Sequence, residues 1–253
     1  MKYRIHFLLL IVLMSCQQKQ TDQSQLLGQE VWEKVVEIYD PHQRLMNSAF
    51  RATFEEGTNP NNIGLQSSLL INHAKRYCQY TRLNLNDSSL LSMVYHNGKC
   101  MAIVNQDTLR TEEEMKAQQL SCATIAYYGT YYLYILGLPA TLRATDEAFP
   151  DTVREGQFLG KRCLVFPIKY PKEIERERWT YYLDPTSYQI IGASYDYPDK
   201  PGAFGELKGV IATDSFSLIQ THDWYKADSS TWGHGKFTSL AQVDEDTIDW
   251  LLE

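Results

Sequence analysis

Turn-forming residues punctuate this chain between stretches of strand-like alternation, and that punctuation restricts its fold more than any other feature. The clearest turn is Asn97-Gly98, which separates Met93-Val94-Tyr95-His96 from Lys99-Cys100-Met101-Ala102. Asn-Gly favours a two-residue type I′ hairpin because both central residues tolerate positive φ. Such a hairpin sets His96 opposite Lys99 and Tyr95 opposite Cys100. In the C-terminal half, segments 156–159 and 162–170 flank Gly160-Lys161, segments 179–183 and 188–197 flank Asp184-Pro185-Thr186-Ser187, and segments 207–213 and 216–225 flank Asp214-Ser215. Turns at such spacing favour a meandering antiparallel sheet over alternating β–α–β units. The N-terminal half reads the same way. Phe50, Ala52 and Phe54 share one alternating face, and strands are predicted over 65–75, 77–85 and 91–96.

Two segments break the pattern. Leu27, Val31, Val35 and Ile38 or Tyr39 recur at helical steps until Asp40-Pro41 stops them. Glu30, Glu33 and Glu37 on the polar side argue for a helix packed on a sheet rather than one lying on a membrane, where Lys and Arg are favoured. Thr111-Glu112-Glu113-Glu114 reads as a capped helix start, and the spacing predicts one long helix from there to about Leu136, ended by Gly137 and Pro139. Tyrosines at 127, 128, 131, 132 and 134 wrap most of its circumference, so both of its sides should meet protein or ligand.

The N-terminus carries a different message. Lys2 and Arg4 precede an apolar run, residues 7–14, that is too short to span a bilayer. The following Leu13-Met14-Ser15-Cys16 resembles the bacterial lipobox, which implies cleavage before Cys16 and acylation of that cysteine. Residues 1–15 then form a signal peptide, and polar residues 16–25 form a flexible tether. Residues 26–253 form a single β-rich domain, large enough to bury a core without staples. The alternative is an ordinary signal peptide or a buried helix with an incidental cysteine. A neutral Gln17 after the cysteine points to the outer membrane, because an aspartate there commonly signals inner-membrane retention. The 253-residue chain has a formal net charge of −7, and the removed segment holds basic but no acidic residues. This acidity argues against nucleic acid as a partner and leaves the acyl chains as the membrane anchor. Cys78, Cys100, Cys122 and Cys163 fit neither a zinc site nor a CxxC pair, and read mainly as small apolar core residues. Cys78 and Cys100 fall on strands separated by a third, too far apart for a disulfide.

Motifs for catalysis are missing. His42, His73, His96, His222 and His234 show no metal-ligand spacing, and neither metal nor cofactor is expected. His222-Asp223 makes a poor dyad, because neighbours on a strand point to opposite faces. There is no GxSxG elbow, P-loop or dinucleotide fingerprint. Glu173, Glu175 and Glu177 alternate with Ile174, Arg176 and Arg178 as a solvated connection. Trp232-Gly233-His234-Gly235-Lys236-Phe237 reads as a final hairpin or as a pocket rim, with glycines that permit close approach.

Three stretches carry a family resemblance: Val94-Tyr95-His96-Asn97-Gly98-Lys99, the strand–Asp–Pro–Thr–strand hairpin over 179–191, and Gly137-Leu138-Pro139. With the lipobox and the two β-rich halves, they resemble the lipoprotein-localisation-factor (LolA/LppX-like) superfamily over about residues 26–240, in particular its single-domain lipoprotein branch. The resemblance implies an α+β, mainly β fold: an open antiparallel half-barrel with helices across its concave face, enclosing an apolar cavity for acyl chains. It also implies no enzymatic centre. A tethered protein cannot shuttle, so a receptor or static binder fits better than a carrier. Trp179, Tyr181 and Leu183 form one candidate cavity face and Ile191, Ala193 and Tyr195 another, with Tyr131 facing them from a helix. The alternative is that these residues simply pack beneath the helices. Three functions remain open: binding of a lipid or other apolar ligand, an interaction or scaffolding role with an envelope protein partner, and an unrecognised hydrolase.

Overall fold

The computed structural model describes residues 26–136, 138–143, 149–168, 178–197, 199–248 and 251. The signal segment, Cys16, the tether, Gly137 and the charged connection containing Glu173, Glu175 and Glu177 lie outside the described residues.

Antiparallel strands dominate. After β1 (Leu26–Leu27) and helix α1 (Gly28–Tyr39) come β2 (Ala49–Asn59), β3 (Asn62–Asn72), β4 (Tyr77–Asn84), β5 (Leu90–His96), β6 (Lys99–Val104) and β7 (Asp107–Leu109). Helices α2 (Glu112–Ala117), α3 (Cys122–Ile135) and α4 (Ala140–Arg143) follow. The second run holds β8 (Thr152–Phe158), β9 (Lys161–Pro167), β10 (Arg178–Leu183), β11 (Ile190–Asp196), β12 (Ala203–Ala212), β13 (Ser217–Lys226) and β14 (Thr231–Val243). Among the described residues these form one sheet in the order β1-β8-β9-β10-β11-β12-β13-β14-β2-β3-β4-β5-β6-β7, curved but not closed into a barrel. The two meanders join where β14 pairs with β2, with Phe237 opposite Phe54. The mostly β half-barrel with helices on its concave face is therefore the architecture of this chain. No described helix is long and apolar enough to cross a membrane.

Local chemistry explains the joints. Asn97 and Gly98 take φ of 47° and 89°, and the hairpin pairs Tyr95 with Cys100 and His96 with Lys99. In α1, Val31, Trp32, Val35 and Tyr39 are buried while Glu30, Glu33 and Glu37 are exposed. Leu27 does not join this helix; it pairs with Thr152 in β1 and is exposed. Thr111 accepts the Glu114 amide and Glu114 returns a carboxylate to the Thr111 amide, a reciprocal cap.

The long helix expected to run on to Leu136 is instead two. Gln119 adopts a φ of 58°, and Ser121 caps a new start by accepting the Thr124 amide. The cysteine reading also needs correction. Cys78 and Cys163 are buried thiols, but Cys100 on β6 and Cys122 at the start of α3 form a disulfide, with Cα atoms 5.6 Å apart. The broken helix is the physical reason, because the restart at Ser121 brings Cys122 down onto the sheet. Cys78 and Cys100 stand on β4 and β6 with β5 between them and are not bonded to each other, as expected.

Two apolar clusters fill the concave side. One packs α1 against β9–β12 through Trp32, Phe166, Tyr181 and Leu183. The other packs α3 against β2–β6 through Phe50, Phe54, Tyr80, Tyr95 and Ile125. A third, with Leu70, Tyr77, Val94 and Met101, lies under Ile248 and Leu251.

Candidate functional site: an aromatic cleft under the third helix

Between the two main clusters the sheet is poorly covered, and the sequence says why. Inward positions on β12 and β14 are small: Ala203 and Gly205 precede Leu207, and Gly233 and Gly235 precede Phe237. Trp224 on β13 stands between them, opposite Gly205 on one side and Gly233 on the other, and His222 stands opposite Gly235. A side chain built at Gly235 would meet nothing within 4 Å. Gly205 is covered by the Trp224 indole, and Gly233 and Gly235 leave a floor with open space above it.

Three adjoining cavities use that space. The largest, about 640 Å³, opens between the Tyr127–Tyr131 segment of α3 and the C-terminal strands, and is walled by Trp179, Tyr195, Tyr197, Trp224 and Trp232. The next, about 270 Å³, runs inward past Tyr131 and Tyr132 to Phe54, Glu56, His222 and Phe237. The third, about 40 Å³, is enclosed by Tyr39, Tyr181, Ile190, Ala193 and Leu218. Trp224 borders all three. Ring contacts hold the outer wall together: Trp179 lies 5.0 Å from Tyr195 and 6.0 Å, edge-on, from Trp224.

The polar groups are few and specific. Glu56 Oε2 accepts hydrogen bonds from Ser67 Oγ at 2.5 Å and Tyr80 Oη at 2.9 Å. Burial, reinforced by the Glu56 charge, pushes the Tyr80 hydroxyl well above its ordinary pKa. Tyr132 is raised in the same way, by burial first and then by the charges of Tyr80 and Glu56. Burial lowers the pKa of His222, which donates from Nε2 to the Ile219 carbonyl at 3.0 Å, so this imidazole is held neutral.

Of the residues expected to line a cavity, Trp179, Tyr195 and Tyr131 border the large cleft, and Tyr181 and Ala193 border the enclosed space. Leu183 is fully buried in the α1 cluster. Ile191 is displaced by an irregularity in the β10–β11 register, where Leu183 pairs with Ile190 and Tyr182 with Gly192. The extra residue reverses the alternation, and Ile190 takes the inward place. Sequence reasoning missed Trp224 and Glu56, and placed Tyr127 and Tyr128 only among the helix tyrosines that should meet protein or ligand; the other local signal was the glycine cluster around Trp232 and His234.

Asp223 does not pair with His222. Its partner is His234 across the strand, with Nδ1 2.6 Å from the carboxylate, and Lys208 Nζ lies 3.1 Å from its other oxygen. His234 also borders the inner space, although it alternates to the opposite strand face from Gly235. Burial raises the Asp223 pKa, but hydrogen bonds from His234 and Lys208 outweigh it and the net shift is downward. No described group of three or more His, Cys, Asp or Glu residues is arranged to hold a metal ion.

One family model matches residues 2–232. The chain belongs to that family, the family of unknown function DUF6503. No curated protein matches this DUF6503 chain. Among solved structures, it is similar to a LolA superfamily protein from Nitrosomonas europaea at 9% identity and a TM-score of 0.53, covering 87% of this chain and 94% of that one. A putative outer membrane lipoprotein-sorting protein domain from Vibrio parahaemolyticus matches at 10% identity and a TM-score of 0.46, over 79% of this chain and 88% of that one. At 9% identity the likeness to the Nitrosomonas europaea protein is one of fold, and it is the fold that the family resemblance implied.

Proposed function

We propose that this DUF6503 chain is a lipid-anchored protein of the bacterial envelope, held at the outer membrane of a Gram-negative cell by acyl chains on Cys16. It binds a lipid or other apolar ligand in the cleft under α3 and performs no catalysis. The observation that carries this reading is the glycine-floored, aromatic-walled cleft of about 640 Å³, a volume in the range of small-molecule sites. Its continuity with the inner space gives an elongated ligand a path from solvent to the core. The half-barrel fold and the lipobox support the compartment.

Gly235→Leu tests the reading cleanly. A Cβ added at Gly235 meets no atom within 4 Å and the backbone there is not at positive φ, so a side chain can start there without clash and extend into the inner space that Gly235 borders. The wild-type protein should bind the neutral dye Nile red saturably, with quenching of Trp179, Trp224 and Trp232, three of the five tryptophans. Gly235→Leu should weaken binding by about tenfold or more, because buried contact area is replaced by protein atoms. Unchanged binding in that variant would place the dye outside the inner space that Gly235 borders.

A second reading, docking of an envelope protein partner, is favoured by Tyr127 and Trp232 at the cleft mouth, which are 62% and 51% exposed. Absence of saturable dye binding, together with complex formation lost on Trp232→Ala, would decide for it.

A further inference from the structure

A cleft meant only for hydrocarbon has no use for a carboxylate, yet Glu56 lines the inner space of this one. We propose that the ligand carries a cationic amine and that Glu56, with the aromatic walls around it, is the site that recognises it. The inference rests on the cleft being a ligand site.

Four observations converge on Glu56. First, β2 alternates Phe50, Ala52, Phe54 and Glu56 along the inward side, so the acid continues an apolar row and faces into the protein rather than out of it. Second, the side chain is held in place: Ser67 and Tyr80 both donate to Oε2, while Oε1 accepts from no described residue. A fixed carboxylate with one spare oxygen is pre-organised for an incoming donor. Third, no described cation neutralises it. Arg82, inward on β4 in register with Ser67, makes no ion pair with Glu56. Lys236 also borders the space, but it pairs in register with Glu55 and alternates to the opposite face from Gly235. Fourth, the walls on the way to it are aromatic: Tyr131 and Trp224 border both the outer cleft and the inner space, and Tyr132 joins them within. Tyrosine and tryptophan faces attract ammonium groups through their quadrupoles, most strongly where water is excluded. A carboxylate among aromatic rings attracts an ammonium, tolerates a neutral hydroxyl and repels a carboxylate. An amphiphile with one amine would lay its ammonium on Glu56 and its hydrocarbon along the Trp224 floor.

The test compares three ligands of equal chain length: decylamine, decanol and decanoate, titrated at pH 7 by tryptophan fluorescence against wild-type protein and Glu56→Gln. The amine should bind about tenfold more tightly than the alcohol, the scale of one charge-assisted hydrogen bond, and decanoate should bind most weakly. In Glu56→Gln the amine should lose that advantage while decanol affinity stays unchanged, which also shows that the cleft has kept its shape. Decanoate binding as tightly as decylamine, or an amine preference that survives Glu56→Gln, would overturn the inference and leave the apolar cleft standing. Failure of all three to bind would remove both.

Discussion

Gly129 decides how closely α3 approaches the sheet, and replacing it with alanine gives a prediction whose sign is diagnostic. Gly129 is buried in the middle of the helix. A Cβ there would lie 2.7 Å from Cγ and 2.9 Å from Cδ1 of Tyr95, and closer still to its Cβ, where ordinary contact begins at 3.4 Å. These atoms are the root of a ring wedged into the α3 cluster, so rotation of the side chain cannot relieve the overlap. The helix must lift, by roughly 0.5–1 Å, and a gap of that size forfeits a quarter to a half of each dispersion contact it opens. Overpacking of this kind costs about 1–3 kcal/mol. Alanine in place of glycine inside a helix recovers about 0.5–1 kcal/mol. The balance is a net loss of up to about 2.5 kcal/mol, measured by urea denaturation with the disulfide intact. Ala123→Gly on the exposed side of the same helix should lose about 1 kcal/mol from propensity alone, which calibrates the comparison. If Gly129→Ala proves more stable than wild type, α3 does not rest on Tyr95, and the cleft it roofs is not shaped as described.

Other perturbations give equally direct readings. Leu183→Ala, at a fully buried position, should cost about 2–5 kcal/mol, while a loss well under 1 kcal/mol would mean a cavity wall instead. Under denaturing conditions, alkylation should label Cys78 and Cys163 without reductant and Cys100 and Cys122 only after it; Cys122→Ser should lower stability by about 3 kcal/mol. Stability should fall with acid through His73. Burial lowers its pKa from 6.5 to about 4, against the opposing hydrogen bond to the Leu133 carbonyl. Between those values the unfolded chain binds more protons than the folded one, so stability rises with pH across the window, and up to about 3 kcal/mol is lost as pH drops from 6.5 to 4. His73→Gln should flatten that slope in pH-dependent urea titrations, and an unchanged slope would contradict the assignment. Cys16→Ala should leave the precursor uncleaved and unlipidated; normal membrane fractionation at the wild-type mass would sink the anchor.

The legible parts of the fold were those fixed by local chemistry. Asn97-Gly98 announces its hairpin because few residue pairs accept two positive φ angles in a row, and the register of Tyr95 with Cys100 follows from turn length alone. Alternation likewise exposed Trp179, Tyr181 and Leu183 as one inward face. What failed depended on distant partners or on a single inserted residue. The pairing of β14 with β2 closes a span of most of the chain, and nothing in either strand names the other. Period-two counting through 191–195 was broken by one extra residue near Ile191. The Cys100–Cys122 bridge was hidden because it depends on a helix restart that looked like continuous periodicity, although Ser121 was an available cap signal. Glu56 carried no signal of its own in the sequence; only Ser67 and Tyr80, brought over from β3 and β4, make it part of an interior. The glycines of β14 were visible, but the space they leave depends on Trp224 standing between them and Gly205.

On the proposed function, the space under α3 holds a ligand. Native mass spectrometry of the protein gently extracted from its own membranes tests this most directly, with the bound fraction analysed after organic extraction. The prediction is a discrete added mass on the folded protein, released by solvent and depleted in Gly235→Leu purified in parallel. A single ligand-free mass for the wild-type protein, or an added mass retained equally by Gly235→Leu, would contradict it.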